Sequence, residues 1–443
     1  MKKREDHDDL ADRRADERRR LARESPRGGR GAGRLWRSLG PGITSGAADD
    51  DPSGIATYSV AGAQFGTALL WTALLTWPLM MAVQAMCARI GMVTGRGLMG
   101  TLKQKIPRPI LIVVAAALFG ANTINVGADL AGMSDAAAIL TGLHSRLWVV
   151  GFGALIAYTT IELRYAALAS TLKWLAFVLF AYVVDAIVVG FDWRAVLRDT
   201  FIPSIPHGPE MWGMLVAILG TTISPYLFFW QAAQEVEEEK SRGRRRIADR
   251  VGATRGEIRT RKADVALGTF FSNVVMYFII LATAVTLHRH GITHPQSSRE
   301  VASALTPLAG RFAALLYTIG IVGTGALAIP TLAGSAAYAF AEIFGWREGM
   351  DERYPQARAF YSAFAVSIAL GAALVFLNVN PVRALYLTAV LNGLLAPFLL
   401  ICILVVAADA KLMAGQPSSR LGRTMVTIAT LVMFGAAIGM FVV

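Results

Sequence analysis

Apolar and polar positions along this chain separate into whole segments, not into opposite faces of short elements. Long apolar runs recur at about 41–64, 67–94, 109–135, 147–161, 166–190, 211–235, 263–287, 311–340, 357–377, 381–408 and 421–442. A helix that is apolar on all sides belongs in a large core or in a bilayer, and a span needs about 20 such residues. The pattern predicts an all-α polytopic membrane protein of eleven transmembrane helices.

Two of these runs are interrupted near their middles. In the first, Gly46-Ala47-Ala48-Asp49-Asp50-Asp51-Pro52-Ser53-Gly54 places three carboxylates, a proline and two glycines at membrane depth. One ionised side chain at the bilayer centre costs from about 3 to above 10 kcal/mol, which makes it a functional candidate by default. Proline lacks the helical donor and glycine loses most on ordering, so both oppose a continuous helix. The stretch reads as a broken helix whose freed carbonyls and carboxylates face a protein-lined cavity, because unpaired backbone cannot face lipid. A cytosolic loop ahead of a shorter span from Ile55 is the plainer alternative.

The sixth run breaks at Thr221-Thr222-Ile223-Ser224-Pro225-Tyr226 and resumes at Leu227. A proline kink satisfied by Ser224 or Thr222 would explain that interruption alone. Two breaks five spans apart, in helices of opposite direction, say more. They predict an inverted repeat of residues 41–190 and 211–408, an accessory helix at 421–442, and a secondary transporter with its substrate site where the breaks meet.

Composition supports the class: 54% of the 443 residues are hydrophobic and 17% are charged. The net charge of +12 might suggest nucleic acid, but its distribution argues against that. Residues 1–37 carry 13 Lys/Arg and 8 Asp/Glu with few aromatics, which predicts a disordered basic tail. With the amino terminus inside, the inner segments hold 34 Lys/Arg and the outer ones 6. That bias follows the positive-inside rule and leaves the carboxyl terminus outside. The basic run from Lys240 to Lys262 then reads as a topology-setting inner loop, 236–262, in contact with anionic lipid. Cys87 and Cys402 both lie in apolar spans, so neither a disulfide scaffold nor a thiolate metal site is expected.

The residues at the breaks carry a resemblance. Gly-Pro-Gly-Ile-Thr-Ser-Gly-Ala-Ala-Asp-Asp-Asp-Pro-Ser-Gly-Ile-Ala-Thr-Tyr-Ser, then Gly-Ala-Gln-Phe-Gly, is similar to the first helix of the Nramp family of proton-coupled divalent metal transporters. Gly-Thr-Thr-Ile-Ser-Pro-Tyr-Leu-Phe-Phe-Trp-Gln resembles that family's sixth helix. The likeness covers the chain after about Arg34 and implies a LeuT-like 5+5 inverted repeat with helices one and six broken.

The departures from the family pattern sharpen the expectation. The family's Asp-Pro-Gly-Asn corresponds to Asp51, Pro52, Ser53 and Gly54, so its asparagine is lost. Its Met-Pro-His corresponds to Ser224, Pro225 and Tyr226, so its thioether is lost. The expected metal ligands are Asp51, Asp50 or Asp49, the Ser224 hydroxyl, and carbonyls near Pro52, Thr221 and Thr222, with room opened at Gly54 and Ser224. An oxygen-only site suits hard cations, and Mg²⁺ keeps several waters. The resemblance therefore points to a divergent, magnesium-transporter-like branch moving Mg²⁺ and Mn²⁺. Asp129 falls where the family keeps an acidic residue on its proton route, but Gln231 replaces a family histidine and cannot titrate. Asn392, Gln84 and Tyr226 are further polar groups within spans, the first two expected in interhelical hydrogen bonds.

Two peripheral clusters have plain readings. Glu235, Glu237, Glu238 and Glu239 form a solvated helix end beside basic neighbours, or a cation exit. His288, His290 and His294 lie on an outer loop, where they could hold a soft metal transiently. A LeuT-fold carrier of amino acids or organic cations shares the architecture, although three aspartates repel a carboxylate substrate. An intramembrane aspartyl protease would use Asp51 and Asp129, but its Gly-x-Gly-Asp signature is absent. The chain is expected to act as a monomer of the plasma membrane, without cofactor or nucleic acid, and not as an enzyme.

Overall fold

The computed structural model describes residues 41–162, 177–205, 208–377 and 379–442, and these contain no strand. The tail expected over 1–37 and the first part, 166–176, of the span expected at 166–190 lie outside the described residues.

The first apolar run is two helices, α1 (Pro41–Asp49) and α2 (Pro52–Phe65). Asp51 stands between them in extended backbone at φ −69° and ψ 169°, and its side chain accepts the Gly54 amide at 2.7 Å. An aspartate at the N-cap followed by proline at the first helical position restarts a helix and does not continue one. Next come α3 (Trp71–Thr94), α4 (Leu98–Leu102), α5 (Arg108–Thr141), α6 (Ser145–Glu162), α7 (Ala181–Val189) and α8 (Trp193–Phe201).

The second break repeats the device. Helix α9 (Pro209–Thr222) stops, Ser224 takes the N-cap position at φ −78° and ψ 133°, and Pro225 opens α10 (Pro225–Ser241). The remainder is α11 (Ile247–Arg250), α12 (Arg255–Thr286), α13 (Ser298–Ser303), α14 (Thr306–Ala309), α15 (Ala313–Phe344), α16 (Arg358–Val375), α17 (Pro381–Ala408) and α18 (Arg420–Val442). Among the described residues, eight helical segments are long and apolar enough to cross a membrane.

The inner loop expected at 236–262 is shorter than that. Helix α10 continues to Ser241 and α12 begins at Arg255. Thr254 and Glu257 form a reciprocal capping box that starts α12 within the charged run. Opposite charges also pair across the gap, so its ends become helix and do not stay solvated.

Small residues set how closely the helices approach. Helix α12 runs along both α1 and α2, while α5 packs on α15 and α16, and α9 on α17. A Cβ on Gly46 would lie 2.5 Å from the Gly268 carbonyl, and one on Gly62 would overlap the Ile280 carbonyl. Gly127 and Gly371 face each other in the same way, while Gly220 lies on the backbone of Ala389 and Gly393, and Gly393 on Val216. Lipid tails are as apolar as leucine, so association in a bilayer relies on such close backbone packing.

Gly62→Val should force α2 and α12 apart at a cost of about 2 kcal/mol or more. A thermal melt of the purified protein should show a midpoint several degrees below that of Gly151→Val, whose position on α6 has open space around it. Equal midpoints would mean that the α2–α12 contact is not a constraint.

Candidate functional site

The two breaks touch. The Tyr226 hydroxyl, at the start of α10, donates to the Ala48 carbonyl at the end of α1 over 3.0 Å. A Cβ on Gly54 would lie 3.1 Å from Thr221 Oγ1 and 3.5 Å from the Asp49 carbonyl oxygen. The room expected at Gly54 is thus already occupied by the Thr221 hydroxyl, because α9 crosses α2 at the residue without a side chain. A Cβ on Gly325 of α15 would meet both Met133 of α5 and, at 3.2 Å, Pro52 Cγ.

Asp51 is the most completely satisfied of the three adjacent carboxylates. Its Oδ1 accepts from Ser53 Oγ and from the Gly54 amide, each at 2.7 Å, and its Oδ2 accepts from Asn125 Nδ2 at 3.1 Å. Asp49 Oδ2 and Asp50 Oδ1 both rely on Ser272 Oγ of α12, at 2.6 and 3.1 Å. One hydroxyl carries one hydrogen, so it serves only one of them at a time. Asp49 and Asp50 therefore turn to α12, whereas Asp51 turns to α5. Among the described residues no three His, Cys, Asp or Glu side chains converge on one point. The aspartates do not form a single carboxylate cage, and any ion bound at the breaks must draw most of its donors from other oxygens.

Such oxygens are present. All are buried, and Asp49 Oδ1, Asn125 Oδ1, Tyr58 Oη, Thr221 Oγ1 and both oxygens of Asp129 have no hydrogen-bond partner. Asn125, Asp129 and Met133 lie at four-residue intervals along α5, a spacing that puts them on one face. The charge that acts on Asp129 is that of Asp51. No Lys, Arg or His pairs with Asp49, Asp50, Asp51 or Asp129 among the described residues. Burying that much negative charge without a countercharge is costly.

The other expected residues fall out differently. Ser224 Oγ lies within reach of the Gly220 and Thr221 carbonyls at 2.9 and 2.7 Å and gives its one hydrogen to either. Thr222 Oγ1 donates to the Ile218 carbonyl at 2.7 Å within its own helix. Gln231 Nε2 donates to Glu235 at 2.7 Å. Asn392 and Gln84, expected in interhelical hydrogen bonds, are buried with neither side-chain polar atom bonded. The histidines do not converge on a metal: the His288 ring contacts the Ala63 carbonyl at 2.8 Å, and the His290 ring contacts that of Thr286.

The glutamate run is not a solvated helix end. Arg261 of α12 is buried against Glu235 at 2.8 Å, against Asp264 at 2.8 Å and against Glu238. Asp264 in turn accepts the Gly42 amide of α1 at 2.9 Å. A continuous polar chain therefore runs from Gln231 on α10 through Glu235, Arg261 and Asp264 to the start of α1. Sequence reasoning missed Asn125, Ser272, Arg261 and Asp264. The first lies four residues before Asp129, and the last two are an i, i+3 pair that straddles the boundary expected between the loop 236–262 and the span from 263.

Residues 42–443 match the family model for Nramp, described as natural resistance-associated macrophage protein-like. The divalent metal cation transporter MntH of Deinococcus radiodurans is 26% identical over 319 residues, covering 69% of this chain and 70% of that protein. MntH of Yersinia pestis is 28% identical over 312 residues, covering 67% and 71%. The crystal structure of the Eremococcus coleocola manganese transporter, in complex with an aromatic bis-isothiourea substituted compound, superposes with a TM-score of 0.75 at 16% identity. It covers 93% of this chain and 88% of that one. The likeness is one of fold, and the LeuT-like fold expected from the two breaks is borne out.

Arg261→Ala should leave Glu235 and Asp264 buried without a cation, at about 3–5 kcal/mol. Purified Arg261→Ala should melt well below the parent protein, and adding Glu235→Gln should recover part of the loss. A melting point unchanged by Arg261→Ala would show the network to be unimportant to folding.

Proposed function

This chain belongs to the Nramp family, and from that membership we propose that it is a secondary transporter of divalent metal cations, favouring Mg²⁺ and Mn²⁺, that works by alternating access. Matched relatives bear the names divalent metal cation transporter and manganese transporter, which supports the substrate class. The observation that carries the reading is the set of four buried carboxylates at and beside the first break, none with a protein cation among the described residues. A dication supplies the countercharge that the protein withholds.

In this reading Asp51 is the anchor, held as a carboxylate by three donors with lone pairs left for the metal. The Thr221 hydroxyl, filling the space at Gly54, takes the place of the family's asparagine oxygen. Ser224 Oγ contributes lone pairs in place of the family's thioether, and Asp50 or Asp49 adds charge at longer range. A site of hydroxyl, amide and carboxylate oxygens favours hard ions, which bind oxygen and retain water. Asp129, unbonded and one turn from Asn125, is the group placed to take up a proton as the metal arrives or leaves. The halves 41–190 and 211–408 move as inverted repeats about the breaks, with the amino terminus and basic connections cytoplasmic and the carboxyl terminus outside. The polar chain through Arg261 holds α1 against α10 and α12 and so keeps that side shut until it parts.

Proteoliposomes holding the full chain should take up Mn²⁺ in competition with Mg²⁺. Asp51→Ala should abolish uptake, and Ser224→Met should raise Cd²⁺ uptake relative to Mg²⁺ by about tenfold, as a soft donor enters the site. Undiminished Mn²⁺ uptake by Asp51→Ala, or carriage of an amino acid without any metal uptake, would overturn the assignment.

A further inference from the structure

Away from the breaks, α3, α12 and α18 line a partly open cavity of about 130 Å³. It lies at the end of the bundle that carries the basic connections. Its lining changes character with depth. Arg89, Lys262, Ser418 and Ser419 sit at the helix ends, while Met81 lies two turns inward on α3 and Met425 lies inward on α18.

Three independent features of the polar end point to an anion. Arg89, half-buried, donates its Nε and Nη2 to the Gln416 carbonyl at 3.3 and 3.2 Å and joins no ion pair among the described residues. Lys262 likewise joins none, whereas Arg261 beside it is fully engaged by three carboxylates. Ser418 is only 6% exposed, lines the cavity, and its Oγ has no hydrogen-bond partner. Ser419 caps α18 by accepting the Gly422 amide at 3.2 Å, and the Arg420 and Leu421 amides precede the first intrahelical bond of this 23-residue helix. Unpaired amides and the positive end of a long helix favour phosphate.

We propose that this cavity seats the phosphate of an anionic phospholipid, with an acyl chain running inward along Met81, Met86 and Met425. Basic pockets between helices on the cytoplasmic side are suited to such headgroups. Free inorganic phosphate would use the same polar end, but it would leave the methionine wall without an occupant. That continuity of polar end and apolar wall selects the lipid.

The test uses the full chain, reconstituted in nanodiscs of phosphatidylcholine with phosphatidylglycerol, released into detergent and examined by native mass spectrometry for retained lipid. Phosphatidylglycerol should be retained over phosphatidylcholine. Lys262→Ala, at an exposed position that leaves folding alone, should reduce that retention about fivefold, as should Arg89→Ala, while Arg89→Lys should keep part of it. Arg383→Ala, at the opposite end, should change nothing. Equal retention of the two lipids, or retention unaffected by both Lys262→Ala and Arg89→Ala, would overturn the proposal. So would complete displacement of phosphatidylglycerol by millimolar inorganic phosphate, which would identify a free-anion site instead.

Discussion

A carboxylate taken out of water must be met by donors or by positive charge, and at the centre of this molecule four of them are met only in part. Asp51 has three donors, Asp49 and Asp50 divide one hydroxyl between them, and Asp129 has none. The surrounding architecture follows from keeping that cluster dry and in place. Helix α5 brings Asn125 and Asp129, α12 brings Ser272, and the second break brings Thr221 and Tyr226. Each of these groups is buried, so its position is fixed by packing.

The breaks themselves are made by short-range chemistry. At both, an N-cap residue in extended backbone precedes a proline, and the pair stops one helix and starts the next within two or three residues. This explains how backbone can be irregular at membrane depth without facing lipid. The Ala48 carbonyl freed at the first break is taken by the Tyr226 hydroxyl of the second, and the Gly220 and Thr221 carbonyls freed at the second are taken by Ser224. The two interruptions complete each other, which a single kinked helix could not do.

How much of this was legible beforehand depends on the range of the interaction. The long apolar helices, both breaks and the place of Asp51 between two helices follow from local composition and from residues three apart, so they could be read directly. The partners of the aspartates could not. Asn125 and Ser272 are ordinary polar residues in long apolar runs, and only the packing of α5 and α12 on α1 and α2 gives them meaning. The space at Gly54 was misjudged for the same reason: a missing side chain looks like a vacancy until the helix opposite is known to fill it. Arg261 was hidden by a boundary error, since a dense charged run reads as loop although opposite charges across it make helix, and without Arg261 its partner Asp264 had no meaning.

The reciprocal glycines carry a consequence of a different kind. Gly127 and Gly371 lie on each other's backbone, so each member of that pair is already as small as an amino acid can be. A clash at most helix crossings can be relieved by trimming the neighbour, but here neither partner has anything left to trim. That crossing is thus closed to compensated exchange: the spacing of α5 from α16 is set by the main chain itself, and substitution at either position cannot be rescued from the other side.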